Sequence, residues 1–177
     1  STILLHASGT MELDPLEPHE RIGSLHPLMT FTGVESRSDM PDVIPAAVCG
    51  HPDAKLAAEA LALDLGMTPF DYSGDRRIYH AAAVLSGNFA TVLLARAAQL
   101  LSSQGVDEAM ARALLAPLAA QSIRNAADGA PEDVLTGPVA RGDHEVIQNH
   151  MDALEEWAPE QRELYEVFLR EANKLLN

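Results

Sequence analysis

The pattern of apolar and polar positions changes character once along the chain, near Ser73-Gly74. Before that point, short apolar runs alternate with polar, proline- and glycine-marked connections, which is strand texture. Residues 2–6 form the first run and end at Ser8-Gly9, predicting a buried strand and its exit turn. Residues 22–26 give a second strand, stopped by Pro27, and residues 32–43 read as a polar loop. Ala46 to Cys49 is a third strand. Pro52 near the first helical position and Asp53 in the first turn then open a helix from Ala54 to Leu65, which ends at Gly66. Met67 to Tyr72 returns as a strand, and Pro69 places it at a sheet edge. Strand, helix and strand with short connections make a βαβ unit, so parallel strands are expected around it.

After Gly74 the pattern is helical. Asp75 to about Ser103 reads as one helix of roughly 45 Å at 1.5 Å per residue. It is apolar or small nearly all round, which predicts burial on most sides. Helices follow at about 107–127 (with a kink expected at Pro117), 142–156 and 159–176. The expected organisation is α/β followed by all-α. Residues 1–73 form the C-terminal portion of a Rossmann-like parallel sheet, and residues 74–177 an all-helical substrate and dimerisation domain. Three or four strands with one covering helix leave a sheet face and an edge open. No two of the eleven glycines lie two apart, so no G-x-G-x-x-G occurs. The sheet therefore reads as the second half of a doubly wound fold whose first half lies upstream.

Composition narrows the partners. The formal charge of −14 and the absence of any basic cluster longer than Arg76-Arg77 argue against nucleic acid and anionic membranes. An anionic ligand would have to be met by a few arginines among Arg37, Arg76, Arg77, Arg96, Arg124 and Arg141. One cysteine, Cys49, excludes an internal disulfide framework and a Cys-based zinc cluster. No uninterrupted apolar run reaches about 18 residues, and the start lacks signal-peptide features, so a cytoplasmic protein without a membrane span is expected. The histidines form neither H-x-x-x-H nor H-E-x-x-H, and no metal site is expected.

Four stretches carry the chemistry: His6-Ala7-Ser8-Gly9, residues 24–31 around His26-Pro27, Tyr79-His80 with Asn88, and residues 135–143 from Leu135 through Thr136-Gly137-Pro138 and Arg141 to Asp143. In this order and spacing they resemble a family of oxidoreductases that join a Rossmann-like NAD(P) domain to an all-helical domain. That family lies in the 6-phosphogluconate-dehydrogenase-like superfamily and is related to ketopantoate reductases. The resemblance covers essentially the whole chain. It implies NADP or NAD as cofactor, a homodimer, and a further hundred or more residues, including the Gly-rich turn, ahead of His6-Ala7-Ser8-Gly9.

The residues themselves fit that reading. Proline holds the residue before it extended, so His26 should project from the C-terminal edge of the sheet, where open α/β sheets bind ligands. A His-Pro pair in a similar place also resembles a stretch of prephenate dehydrogenases. His26 would donate a hydrogen bond to substrate or wall the nicotinamide pocket; the plainer alternative is a histidine that fixes a loop. In ketopantoate reductases the equivalent helix start carries a catalytic lysine followed by asparagines at four-residue steps. On that pattern His80 takes the lysine position, Val84 replaces the first asparagine, and Asn88 matches the second. Reduction of a ketone needs a proton donor, which imidazolium can be. The alternative is a packed helix-terminal histidine with Asn88 as a core polar contact. Arg76 and Arg77 lie one turn earlier and could supply positive charge.

Thr136 and Arg141 in a constrained loop suit a carboxylate, which a guanidinium grips bidentately, or else simply build the loop. Asp143 is a plausible N-cap. His6, Ser8 and Gly9 could approach the cofactor closely, since glycine lets backbone near a ligand. The expectation is an NAD(P)H-dependent reductase acting on a small 2-keto or hydroxy acid, with ketopantoate as the lead substrate. His80, Asn88 and His26 are its catalytic face, and Arg141, Thr136 and Arg76 bind substrate. The rival is a non-catalytic dimerising or small-acid-binding domain derived from such an enzyme.

Overall fold

The computed structural model describes residues 2–33 and 40–177; Arg37 and its neighbours at 34–39 lie outside the described residues. Contacts divide the chain into two units, Ser1–Ala90 and Thr91–Asn177.

The first unit is built on a four-stranded sheet in the order β1 (Leu4–His6), β2 (Ile22–Pro27), β3 (Pro45–Gly50), β4 (Thr68–Asp71). β1 and β2 are parallel, as are β3 and β4. β2 and β3 are antiparallel, with Ser24 opposite Cys49 and His26 opposite Ala47. The expectation of a parallel sheet is corrected here: the sheet is mixed. The reason lies in the connections. Residues 7–21 and helix α1 (Pro52–Asp64) each carry the chain back to the starting edge. The end of β2 and the start of β3 instead lie side by side: Leu28 donates its N–H to the Pro45 carbonyl at 2.7 Å, and β3 runs back along β2. Among the described residues β4 pairs only with β3, and Pro69 sits on that edge, where its missing N–H costs no ladder bond.

Helix α1 starts where expected. The His51 imidazole accepts a hydrogen bond from the Asp53 N–H at 3.2 Å, and Pro52 needs no donor partner. Ala54, Ala58 and Ala62, four residues apart, are completely buried. Their small side chains let the helix lie close on Leu25, Ala46 and Val48, which form the sheet side of this core, with Leu5 and Met67 at its margin. The helix ends in a Schellman motif. Gly66 takes φ 71°, the Met67 N–H reaches the Ala62 carbonyl at 2.8 Å, and the Gly66 N–H reaches that of Leu63 at 2.9 Å.

The single long helix expected from Asp75 is two segments, α2 (Arg76–Ser86) and α3 (Asn88–Ser103), parted at Gly87. Asp75 caps α2 by accepting the Arg77 N–H at 2.8 Å, and the Arg77 guanidinium holds its carboxyl down at about 2. Burial on most sides is also corrected. Ile78, Leu85, Phe89, Val92 and Leu93 are exposed, because nothing in the described chain packs over them. The 28 residues Arg76–Ser103 are long and apolar enough, by length and composition alone, to cross a membrane. His80, Asn88 and Arg96 interrupt the apolar letters of this segment.

In the second unit α4 (Glu108–Asp128) contains Pro117 and runs without interruption. A short turn of helix, α5 (Pro131–Val134), precedes α6 (His144–Trp157) and α7 (Pro159–Leu175). Asp143 caps α6, accepting the Val146 N–H at 3.3 Å. Met151, Leu154, Ala158 and Gln161 are buried where α6 turns into α7.

Candidate active site

The parallel pair β1 and β2 ends at one sheet edge. The residues leaving β2 build a cleft with α2 and the first residue of α3, and the exit of β1 meets His26 and His80 at Gly9. At the exit of β1 the turn is tied to itself. The His6 Nδ1 accepts the Ser8 N–H at 3.2 Å, and Ser8 Oγ accepts the N–H groups of Thr10 and Met11. Because Nδ1 is an acceptor, neutral His6 carries its proton on Nε2, which is buried and has no partner among the described residues.

Arg76, 3% exposed, fastens this turn to the sheet. Its guanidinium donates to the Ser8 carbonyl at 2.7 Å, to Ser24 Oγ at 3.0 Å and to Cys49 Sγ at 3.5 Å. One side chain from α2 thus binds the β1 exit, β2 and β3 together. Its donors are turned inward, leaving only Nε unpaired. Arg77 pairs with Asp75 at the surface.

His26 leaves β2 beside Pro27. Its Nδ1 lies 2.8 Å from the Tyr79 hydroxyl, and the two rings meet edge to face at 5.5 Å. Its Nε2 is turned towards Gly9. A Cβ at Gly9 would lie 2.7 Å from His26 Nε2 and 3.0 Å from both His26 Cε1 and His80 Cδ2. Only glycine fits where the two imidazoles converge. Burial lowers the His26 pKa, and the positive charge of Arg76 and the neighbouring His80 and His6 lower it further. His6 is lowered in the same way by burial and by Arg76, with Glu12 opposing. Burial raises Tyr79, which keeps its hydroxyl protonated.

The cleft encloses about 540 Å³ between His26, Met29 and Thr30 on one side and Tyr79, His80 and Asn88 on the other. That volume suits a small molecule. The structure therefore brings together His6, Ser8, Gly9, His26 and His80 at one edge, with Asn88 at the rim. Thr136 and Arg141 belong to the second unit. There, Gly137 takes φ 91° and the Asp143 N–H reaches the Pro138 carbonyl at 2.8 Å, giving a closed loop on which Thr136 and Arg141 are both exposed. The Arg141 guanidinium has no hydrogen-bond or ion-pair partner among the described residues.

Tyr79 and Ser24 lie in the stretches singled out from the sequence, but neither was given a role there. The signal for Tyr79 was present: Arg76, Tyr79 and Ala83 share the face of α2 that the helical period turns towards the sheet. Nothing in the spacing of residues marks Ser24, which depends on the β2–β3 register.

No curated protein matches the sequence. The structure is similar to a candidate NADP oxidoreductase from Bacteroides fragilis, BF3122, at 27% identity and a TM-score of 0.77, over 97% of this chain and 65% of that one. The chain thus spans slightly less than two thirds of that relative. It is also similar to protein TM1727 from Thermotoga maritima, at 25% identity and a TM-score of 0.81, over 98% of this chain and 68% of the other. The chain has an NADP-oxidoreductase-like fold. Residues 44–172 match the model of the family described as Domain of unknown function (DUF2520), and the chain belongs to that family.

Proposed function

We propose that this chain is the substrate-side part of an NADP(H)- or NAD(H)-dependent reductase of a small 2-keto acid, with ketopantoate the first substrate to try. The observation that carries the reading is the convergence of His26 and His80, which both line the cleft, on the Gly9 backbone at the C-terminal edge of two parallel strands. The Bacteroides relative supports the cofactor class.

The residues present fit the nicotinamide end of such a cofactor. His6 offers a buried, unpartnered Nε2–H beside the β1 exit, so His6, Ser8 and Gly9 would hold that end. No Gly-rich phosphate turn occurs within the 177 residues, so the remainder of the cofactor falls to a segment outside them. When bound, the reduced nicotinamide supplies a hydride.

This chain's own residues do the rest. His80 delivers a proton to the carbonyl oxygen as negative charge gathers there, leaving a hydroxyl. His26 donates a hydrogen bond to the same oxygen and orients it. Asn88, at the cleft rim, holds the substrate hydroxyl end. On the second unit, the exposed Arg141 guanidinium and Thr136 hydroxyl are the groups suited to a carboxylate. Arg76 supports the site by holding the Ser8 turn and does not contact substrate. The protein acts as a cytoplasmic homodimer in this reading.

The test is NADPH oxidation, followed by absorbance in the full-length protein with ketopantoate and a panel of 2-keto acids. Turnover of at least one 2-keto acid supports the reading. NADPH binding without turnover of any keto acid rejects the substrate class, and failure to bind either nicotinamide cofactor rejects the reductase.

A further inference from the structure

His26 and Tyr79 meet in a way that fixes more than packing. Tyr79 is 8% exposed, and a buried hydroxyl must donate its proton or leave it unsatisfied. Among the described residues, the acceptor within hydrogen-bond distance of Tyr79 Oη is His26 Nδ1, at 2.8 Å. A phenol oxygen is a poor acceptor and its O–H a good donor, so the bond runs from Tyr79 to His26. Nδ1 is thereby unprotonated, and the proton of neutral His26, which lines the cleft, sits on Nε2, the nitrogen that faces Gly9. The edge-to-face contact at 5.5 Å and 82° holds the ring against rotation, and Tyr72 packs on Tyr79 with ring centres 4.9 Å apart. Tyr72 is itself anchored by donating to the Asp75 carbonyl at 2.9 Å.

We propose that Tyr79 is a positioning residue that locks His26 in its Nε2–H tautomer, so that this N–H is presented to a carbonyl oxygen in the cleft. The charged and titratable groups around His26 reinforce the arrangement. Arg76 and His80 from α2 and His6 from β1 all disfavour a second proton on the ring. His26 is then a fixed hydrogen-bond donor, and proton delivery falls to His80. The substrate feature recognised is a bare carbonyl oxygen, an acceptor with no hydrogen of its own. A substrate presenting a hydroxyl or ammonium donor at that point would need the opposite tautomer. The catalytic consequence rests on the reductase reading; the tautomer does not.

The experiment is long-range proton–nitrogen correlation on uniformly nitrogen-15-labelled protein, wild type and Tyr79→Phe, across a pH titration. The expected wild-type spectrum shows His26 Nδ1 unprotonated and Nε2 protonated near neutral pH. In Tyr79→Phe the tautomer preference collapses to a mixture, and His26 titrates at higher pH because its neutral form has lost a donor. A protonated Nδ1 in the wild type overturns the proposal, and so does an unchanged tautomer and titration in the variant. Should Tyr79→Phe fail to fold, the wild-type spectrum alone decides. Where turnover is found, Tyr79→Phe lowers kcat about tenfold with little change in KM, and an unchanged kcat contradicts the role. Absence of turnover in the wild type rejects the reductase reading and leaves the tautomer result standing.

Discussion

Gly9 has no room for a side chain because His26 occupies the space: an added Cβ would sit 2.7 Å from His26 Nε2. The neighbour is a ring held by Tyr79, so it cannot yield cheaply. Gly9→Ala is expected to displace the ring or the Ser8-Gly9 turn. The cost is about 1–3 kcal/mol of stability, typical of overpacking, together with a loss of turnover of at least tenfold. Denaturant unfolding and the NADPH assay measure the two effects.

Arg76 is the tie between the β1 exit and the sheet. Arg76→Met keeps the aliphatic bulk but strands the Ser8 carbonyl and leaves Ser24 Oγ only the Cys49 thiol as partner. Each buried group left unpaired costs about 1–3 kcal/mol. A fall in the unfolding midpoint is expected even without cofactor. An unchanged midpoint would show that the guanidinium is not structural.

His26 and His6 give the fold a pH dependence of known sign. Both have folded pKa values below the ordinary histidine value of about 6.5, for the causes already given. The unfolded chain therefore binds more protons than the folded one in the window below that value. Their contribution is present above about pH 6.5, and it is lost as pH falls from there towards their folded values. Stability should decline through this window, and His26→Gln should flatten the decline. A wild-type stability that rises on acidification over the same range contradicts the assignment.

The exposed Leu85 and Phe89, one turn apart across Gly87, belong to a larger apolar surface on α2 and α3. A second copy of the chain is the expected cover. Light scattering should give a dimer, and Leu85→Asp with Phe89→Asp should give monomer. A wild-type monomer would remove the dimer from the account, and recovery of the wild type in the membrane fraction would assign this surface to lipid.

The sequence-based expectation and the structure part company at identifiable places. The βαβ unit was legible because Pro52, Asp53 and Gly66 mark both ends of α1 and Ala54, Ala58 and Ala62 keep one period. The direction of β3 relative to β2 was not, because it depends on Pro45 starting beside Pro27 and Leu28 at the end of β2, and composition does not record that. The apolar girth of α2 and α3 was legible, but what covers it was not: an apolar face reads alike whether it meets its own chain or another. His26 and His80 could be singled out from the residues beside them, a following proline and a helix start. Arg76 was read as a ligand for substrate, but its place is under the Ser8 turn. An arginine at a helix start shows its charge in the sequence, whereas the direction of its donors is decided by the strand register that puts Ser24 and Cys49 in reach.

The central claim is that the cleft lined by His26 and His80 reduces a carbonyl through those two residues. The most direct measurement is single-turnover NADPH oxidation with the best keto acid in wild type, His80→Ala and His26→Ala. The account predicts that His80→Ala slows the chemical step by 10²–10⁴-fold, about the worth of a general acid, and that His26→Ala slows it less. Both variants should bind NADPH as the wild type does. Wild-type rates in His80→Ala and His26→Ala alike would contradict it and place the chemistry elsewhere.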